Sequence, residues 1–195
     1  MEFIPILNND NRERSALFSV FLGTRTVIMT MNTSPQDIDE ILDLYKMASD
    51  FKKKVSGVQW PEFERSMIET EIQENRLFKI TVDQQVACVW SITFEDQQVW
   101  EDKNADPAIY IHRIATNPHF RGQKFVEQIV EWSKQFAKEH QKLYVRMDTT
   151  AGNQRLTDYY VKCGFSYLGD KKITDTEGRP AHYHNAIMGL FQLEA

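Results

Sequence analysis

The 195-residue chain lacks the features that mark secreted and membrane proteins. It has two cysteines, Cys88 and Cys163, which are too few for a disulfide framework and favour a reducing compartment. No apolar run approaches the roughly 18 residues that a bilayer span requires. Residues 8–14 are polar where the apolar core of a secretory signal would lie. We therefore expect a cytoplasmic protein with no membrane partner.

Basic charge is also scarce. Lysine and arginine number 23 against 28 aspartate and glutamate residues, which gives a formal net charge of −5 at pH 7. Proteins that bind a phosphate backbone usually carry a basic face, so we expect no nucleic-acid partner. An acidic surface is compatible with a cationic amine substrate and also with a neutral one.

The chain has no internal repeat and no low-complexity tract, and its length suits one well-buried domain with a small extension. Residues 1–24 hold two short apolar pieces separated by a polar break, and they fit poorly with the rest of the chain. We predict an N-terminal extension that packs on the domain or frays. The alternative is a dimerisation arm, which would support a homodimer. The domain itself is predicted to cover residues 25–195.

Hydrophobic periodicity predicts seven strands and four helices in that domain. Gly164 is typical of a helix end, and the polar residues 95–106 are predicted to be a loop. This order indicates an α/β protein with a central mixed sheet of about seven strands, flanked by helices on both faces. The helices are predicted to begin at Ser34-Pro35, at Pro61, at residues 121–123 and at Asn153. The predicted strands are residues 26–31, 77–82, 86–94, 109–116, 143–147, 167–168 and 183–190.

The turn after the fourth predicted strand has the composition of a phosphate-binding loop. A pyrophosphate needs converging backbone N–H groups and a helix start, whose dipole attracts negative charge. Gly122 lets the backbone approach such a ligand, while Arg121 and Lys124 add positive charge. A plain strand-to-helix turn with a surface Arg-Gly pair is the alternative, since short glycine motifs often match by chance.

A second signal lies in the last predicted helix, where Asn153 is a good N-cap. Tyr160 falls on the apolar stripe with Leu156 and Cys163, so it is either a core residue or a buried proton donor. When an amine attacks a thioester, the leaving group is a thiolate. A model thiol has a pKa of about 8.5, and the tyrosine phenol has a pKa of about 10. A phenol beside the sulfur can therefore donate a proton as charge develops.

Together these segments resemble the GNAT superfamily of N-acetyltransferases. The combination of segments is specific to the family, whereas no single piece is. It implies an enzyme that binds acetyl-CoA in the splay between the fourth and fifth strands. The enzyme would move the acetyl group to a primary amine by direct attack in a ternary complex. The resembling residues are IHRIATNP at 111–118, HFRGQ at 119–123, MDTT at 147–150 and N-x-x-L-x-x-Y-Y-x-x-x-G-F at 153–165.

The same resemblance implies roles for individual residues. Tyr160 is the implied general acid, and Asn153 is implied to sit beside the cofactor. The pantetheine is implied to lie along Ile114, Ala115 and Thr116, through backbone groups of the first and the last. The pyrophosphate is implied to be held by the amides of Arg121, Gly122, Gln123, Lys124 and Phe125.

The phosphate motif departs from the family's usual Q/R-x-x-G-x-G/A pattern. Arg121 fits the first position, but Lys124 and Val126 replace the two small residues. Lysine can compensate by charge, whereas valine adds bulk near the helix start, where a small residue permits close approach. This departure keeps open a second hypothesis, a non-catalytic acyl-CoA-binding or protein-interaction module on the same fold.

A base must accept the amine proton, since an alkylamine with a lysine-like pKa of about 10.4 is mostly protonated at pH 7. Each candidate has a structural alternative: a loop position, a satisfied strand histidine, or an ion pair between Asp148 and Arg113. The acceptor is expected to be a small-molecule or peptide amine, such as a polyamine, an amino acid, an antibiotic or a protein N-terminus. The candidate bases are Glu95 and Asp96 after the third strand, His112 on the fourth and Asp148 at the end of the fifth.

Other residues carry weaker signals. His182 and His184 face one side of a predicted strand, yet no cysteine or carboxylate at matching spacing completes a ligand set, so we predict no metal site. Both histidines either contribute to the acceptor pocket or lie on a plain surface strand. Trp60, Phe63 and Trp90 are candidates for the acceptor pocket or for the core.

Overall fold

The computed structural model describes residues 26–57, 59–173 and 186–195. The strands are β1 (Ile28–Asn32), β2 (Leu77–Val82), β3 (Gln85–Thr93), β4 (Ala108–Thr116), β5 (Tyr144–Thr150), β6 (Ser166–Lys172) and β7 (Ile187–Glu194). The α-helices are α1 (Ile38–Ser56), α2 (Arg65–Gln73), α3 (Gln97–Trp100), α4 (Phe125–Glu139) and α5 (Gln154–Lys162).

The strands form one mixed sheet in the order β1-β2-β3-β4-β5-β7-β6. The central neighbours β4 and β5 are parallel, and the other neighbouring pairs are antiparallel. The predicted α/β fold, with a seven-stranded mixed sheet, is therefore confirmed. A parallel pair needs a crossover connection, and α4 supplies it between β4 and β5.

Helices cover both faces of the sheet because successive strand residues point to opposite sides. Ile109 and Ile111 on β4 pack in the core cluster that α4 and α5 share, whereas Ala108 and Tyr110 lie in a different cluster. The apolar stripes of α1 and α2 pack in a third cluster, against residues of β2 and β3. Each large side chain that is fully buried in this way contributes about 1.5–3 kcal/mol.

Three helix starts differ from their predicted positions. Helix α4 begins at Phe125 instead of at residues 121–123, because Lys124, its N-cap, has a left-handed backbone. The chain forms a 3-10 turn at Pro35–Asp37 before α1 begins at Ile38. The backbone N–H and the hydroxyl of Ser34 both donate to Asp37 Oδ2, at 2.7 and 2.8 Å, and these bonds close the turn. The second helix begins at Arg65 instead of near Pro61, because Glu64 still has an extended backbone.

Residues 95–106, predicted to be a polar loop, instead form α3 and a 3-10 turn at Glu101–Ala105. Val99 and Trp100 are buried in the cluster that includes Tyr110. The loop prediction is wrong because two apolar residues in a polar run are positioned by tertiary contacts, which periodicity does not reveal.

Arg146 on β5 ties this segment to the sheet. Its side chain is 1% exposed, forms an ion pair with Asp106, and donates from Nη1 to the backbone oxygen of Lys103. Its Nε donates to Gln192 Oε1 at 2.9 Å, and its guanidinium carbon lies 4.7 Å from the Trp100 ring centroid. Desolvating a guanidinium is costly, so these contacts are what make its burial tolerable.

Some predicted features lie outside the described residues: the extension at 1–24, His182, His184, and residues 183–185 of the last predicted strand. The observed β7 runs to Glu194, beyond the predicted end at residue 190. None of the helices in the described ranges is long and apolar enough to cross a bilayer.

Replacing Arg146 by methionine should lower the free energy of unfolding by about 2–4 kcal/mol, because its acceptors lose a buried charged donor. Urea unfolding followed by tryptophan fluorescence measures the difference. Lys103→Ala is the matched control, since Lys103 contributes only its backbone oxygen and should change stability by less than about 0.5 kcal/mol. An Arg146→Met variant as stable as the parent would contradict this role.

Candidate active site

The two parallel strands separate in the middle of the sheet. Within the described residues, backbone pairing between β4 and β5 ends at the pair Ile111 and Met147. β4 nevertheless continues to Thr116 and β5 to Thr150. The carboxyl-terminal halves of the strands therefore diverge, as the resemblance to acetyltransferases implies.

A β-bulge in β4 begins at the same point. On β3, Ser91 and Val89 are separated by one residue, whereas their partners on β4, His112 and Ala115, are separated by two. One of those two, Arg113, has φ of 52°, which is uncommon for a residue other than glycine. A bulge bends its strand and increases the local twist, so it carries β4 away from β5.

Arg113 fixes this bulge to α2. Its guanidinium forms an ion pair with Glu71, which is 5% exposed, and donates to Ser91 Oγ at 2.7 Å. The ring centroid of Phe63 lies 5.7 Å from its central carbon. The ion pair of Arg113 therefore joins the bulge of β4 to helix α2 and holds the bulge in place.

The turn between β4 and α4 encloses a pocket of about 380 Å³. Gly122 and Lys124 have φ of 84° and 56°, and these left-handed residues turn the chain into the helix. The first N–H groups of a helix have no intrahelical partner, which makes this end of α4 suitable for an anion. The pocket brings together the predicted cofactor residues Thr116, Arg121, Gly122, Gln123, Lys124 and Phe125.

The two departures from the usual motif have different local consequences. Lys124 occupies a left-handed position, where glycine is the residue without a steric penalty. Its ammonium lies 3.3 Å from the Glu127 carboxylate, which offsets part of the charge it brings. Val126 is half-buried and packs against the core while it also borders the pocket. The turn therefore keeps a glycine-like backbone although both small residues are absent.

Arg121 is held in place by α1. Its guanidinium carbon lies 3.6 Å from the centroid of the Phe51 ring, close enough for a cation–π contact. Phe51 is 42% exposed, so the contact lies at the rim of the molecule. The aromatic ring restricts the arginine before any ligand arrives.

The remaining predicted cofactor residues, Ile114, Ala115 and Asn153, lie in three different environments. Ile114 lines a second, larger cleft, whereas the side chain of Ala115 is fully buried in the cluster that holds α1. Ala115 lines neither cavity. Asn153 accepts a hydrogen bond from the Leu156 N–H at 3.1 Å as the N-cap of α5, and it lines neither cavity.

The larger cleft has a volume of about 680 Å³ and opens where β4 and β5 diverge. Residues 60–64, which precede α2, form one wall, and the ends of β4 and β5 form another. Trp60 and Phe63 line this cleft, which supports their interpretation as pocket residues. Trp90 is fully buried and stacks on Phe78, so it is a core residue.

Tyr160 reaches the cleft from α5. The residue is 8% exposed, and its ring packs edge-on against Phe191 with centroids 5.2 Å apart. Burial, the largest cause, raises the pKa of Tyr160 well above the usual tyrosine value. The phenol is therefore neutral and able to donate a proton at any physiological pH.

Three of the candidate bases converge in the same cleft. One ligand-type atom from each of Asp96, His112 and Asp148 lies within 4.8 Å of the other two. Asp96 is 7% exposed, and His112 Nε2 lies 3.0 Å from Thr93 Oγ1. Glu95 borders the cleft but is exposed and lies outside this group. We call Asp96, His112 and Asp148 the carboxylate–histidine cluster.

Sequence reasoning missed Lys52. This residue of α1 lines the cleft, and its Nζ lies 5.3 Å from the centroid of the Trp60 ring. Burial lowers the pKa of Lys52, whereas the charge of Asp148 acts in the opposite direction. A signal was present, because Lys52 continues the helical stripe of Ile41, Tyr45 and Ala48, where an apolar residue is expected.

The cleft is acidic overall. Its cations are Lys52 and Arg113, and Arg113 is already paired with Glu71. An acidic, partly aromatic cleft attracts an ammonium group and disfavours an anionic acceptor. The carboxylates that line it are Glu62, Glu64, Glu95, Asp96 and Asp148.

The chain is similar to known acetyltransferases in sequence and in fold. The model of the acetyltransferase (GNAT) family matches residues 41–165, well over half of the chain. The chain is 22% identical over 142 residues to YesJ, an uncharacterised N-acetyltransferase of Bacillus subtilis (strain 168). That match covers 69% of this chain and 79% of the relative.

Solved structures share the fold. An acetyltransferase of the GNAT family from Listeria monocytogenes 4b F2365 matches with a TM-score of 0.70 and 22% identity, over 90% of this chain and 99% of that one. A proposed acetyltransferase from Salmonella typhimurium, solved with its cofactor acetyl-CoA, matches with a TM-score of 0.62 and 10% identity. That match covers 86% of this chain and 93% of the other, and at such identities the likeness establishes the fold.

Replacing Phe51 by alanine should weaken acetyl-CoA binding by up to about two- to fivefold, because Arg121 is no longer held in place for the ligand by a cation–π contact worth about 0.5–1 kcal/mol. Isothermal titration calorimetry measures the dissociation constant. Val55→Ala is the matched control, since Val55 is an exposed apolar residue of the same helix. Equal affinities for the two variants would show that the ring does not position Arg121.

Proposed function

Because this chain belongs to the acetyltransferase (GNAT) family, we propose that it transfers an acetyl group from acetyl-CoA to a primary amine by direct attack in a ternary complex. The family match makes the chain an acyltransferase, as the sequence predicts. One observation carries the proposal: a neutral phenol and a carboxylate–histidine cluster line the same cleft, at the point where β4 and β5 diverge. The proposed acid and the proposed base thus line one cleft, as a single transfer step requires.

The residues of this chain fit acetyl-CoA at both ends of its proposed site. The pocket at the start of α4 offers backbone N–H groups and the charge of Arg121 to a pyrophosphate. The diverging strand β4 offers the backbone of Ile114 and Thr116 to the pantetheine. When bound, acetyl-CoA supplies a thioester, whose carbonyl carbon is the electrophile.

Different groups of the chain carry out the two proton transfers. The carboxylate–histidine cluster accepts the proton that an ammonium must lose before it can attack. Backbone N–H groups of β4 stabilise the negative charge that develops on the carbonyl oxygen. Tyr160 donates its proton to the departing sulfur. Because burial keeps this phenol protonated, it enters each turnover in the correct state.

We further propose a cationic acceptor, such as a polyamine. Five carboxylates line the cleft, and the rings of Trp60 and Phe63 offer π faces to an ammonium. The proton that the acceptor ammonium loses is then released into a cleft lined by carboxylates. A cytoplasmic location, and a homodimer formed through residues 1–24, both remain predictions from the sequence.

The rival function is a non-catalytic acyl-CoA-binding or interaction module, which the replaced glycine positions favour. Lys124 supports this rival only weakly, since it retains the left-handed backbone of the motif. Titration with acetyl-CoA, followed by detection of free CoA with a panel of amines, separates the two. Micromolar binding with amine-dependent CoA release supports the enzyme. Binding without release under any amine supports the module.

Replacing Tyr160 by phenylalanine should lower kcat by about 10²–10⁴-fold, since the ring is kept but the proton donor is lost. Acetyl-CoA affinity should change little. Tyr159→Phe is the control, because Tyr159 borders the pyrophosphate pocket instead of the larger cleft. Unchanged turnover in the Tyr160→Phe variant would remove its role as the acid.

The pH profile of kcat should show no loss through Tyr160 ionisation below about pH 10, the ordinary tyrosine pKa. The direction follows from burial, which raises the pKa of Tyr160 and extends its protonated range upward. Steady-state rates from pH 6 to 10 test this expectation. A fall below pH 9 that is present in the parent and absent in Tyr160→Phe would contradict it.

A further inference from the structure

Lys52 is placed as an acceptor amine would be. It belongs to α1, yet its side chain lines the large cleft together with Tyr160, His112 and Asp148. Within the described residues that line this cleft, it is the single lysine. Its neighbours Lys53 and Lys54 are exposed on the helix surface.

The contacts of Lys52 are those expected for a bound alkylammonium. Its Nζ stands over the Trp60 ring at 5.3 Å from the centroid, within the range of a cation–π contact. Its charge is coupled to that of Asp148, a member of the carboxylate–histidine cluster. The cleft thus already holds one primary amine beside the groups that would deprotonate an acceptor.

We propose that Lys52 is a self-acetylation site, modified in cis by the same cleft. The proposal rests on the proposed acetyltransferase function, because it uses the same acetyl donor, base and acid. Reaction within one molecule has a large kinetic advantage, since the amine is held at a high effective concentration. Burial also lowers the pKa of Lys52, which increases the fraction of reactive neutral amine.

The atoms and charges balance without a further reagent. The Lys52 ammonium first loses a proton to the carboxylate–histidine cluster, which passes it to solvent. The electron pair on Nζ then forms a bond to the thioester carbonyl carbon, and the carbon–sulfur bond breaks. The sulfur leaves with that bond's electron pair and receives a proton from Tyr160. A second proton lost by Nζ restores the phenol. The products are acetyl-lysine, free CoA and one proton.

Acetylation would change the cleft that performs it. The modified Lys52 carries no charge, so among the described residues that line the cleft the five carboxylates would face one remaining Lys or Arg side chain, Arg113, which is already paired with Glu71. Asp148 would lose a neighbouring cation. Acetylation would therefore make the acceptor side of the cleft more negative.

The test uses the full chain, treated first with a lysine deacetylase and then incubated with acetyl-CoA labelled with ¹³C in the acetyl group. Peptide mass spectrometry follows the heavy label at Lys52 and at Lys53, its exposed neighbour. We expect Lys52 to be labelled at least about tenfold faster than Lys53, at a rate independent of protein concentration. Lys52→Arg removes the site and should remove the fast phase of labelling.

Two variants distinguish catalysis from spontaneous chemistry. Tyr160→Phe and Asp148→Asn should slow labelling of Lys52 and leave labelling of Lys53 unchanged. Equal rates at Lys52 and Lys53 would overturn the proposal, because acetylation would then be non-enzymatic. An unlabelled Lys52 in an enzyme that acetylates external amines would also overturn it while leaving the proposed function intact. If acetyl-CoA did not bind at millimolar concentration, both would fail together.

Discussion

The separation of β4 and β5 beyond Ile111 and Met147 determines where the functional groups lie. Backbone N–H and C=O groups in a protein interior need hydrogen-bond partners, and past this point β5 no longer supplies them to β4. An extended ligand that carries amides can take the place of the missing strand. The bulge at Arg113 bends β4 at this point, and the ion pair of Arg113 with the largely buried Glu71 of α2 holds the bulge in place.

Helix α1 connects the two ends of the proposed site. Phe51 contacts Arg121 at the pyrophosphate turn, and the next residue, Lys52, lines the cleft. Successive residues of a helix point about 100° apart, so one helix placed across the sheet can serve both cavities. A shift of α1 would therefore affect cofactor binding and the acceptor side at once. The buried stripe that contains Ile41 and Tyr45 holds the helix in position.

The sequence predicts best where the decisive contacts are local. β4 is a nearly continuous apolar run, and residues 121–125 are consecutive, so their convergence in one pocket follows from a turn that starts a helix. The sequence does not show which of the adjacent residues Glu95 and Asp96 belongs to the carboxylate–histidine cluster. They are adjacent and chemically alike, and the distinction arises because the Asp96 backbone N–H donates to Asn104 Oδ1 at 2.6 Å, within a segment that tertiary contacts position. Lys52 and Asp148 are far apart in the chain, and no periodicity predicts that they meet.

The segment at residues 95–106 has one end in the cleft, and its other end is tied to the buried side chain of Arg146. Asp96 belongs to the carboxylate–histidine cluster, while Lys103 and Asp106 are held by the buried Arg146. Buried Val99 and Trp100 hold the middle of the same segment in the core, so apolar and polar contacts together position it. An arginine outside the cleft thus helps to hold the segment that carries Asp96 into it, so damage at Arg146 would reach the cleft as well as the core.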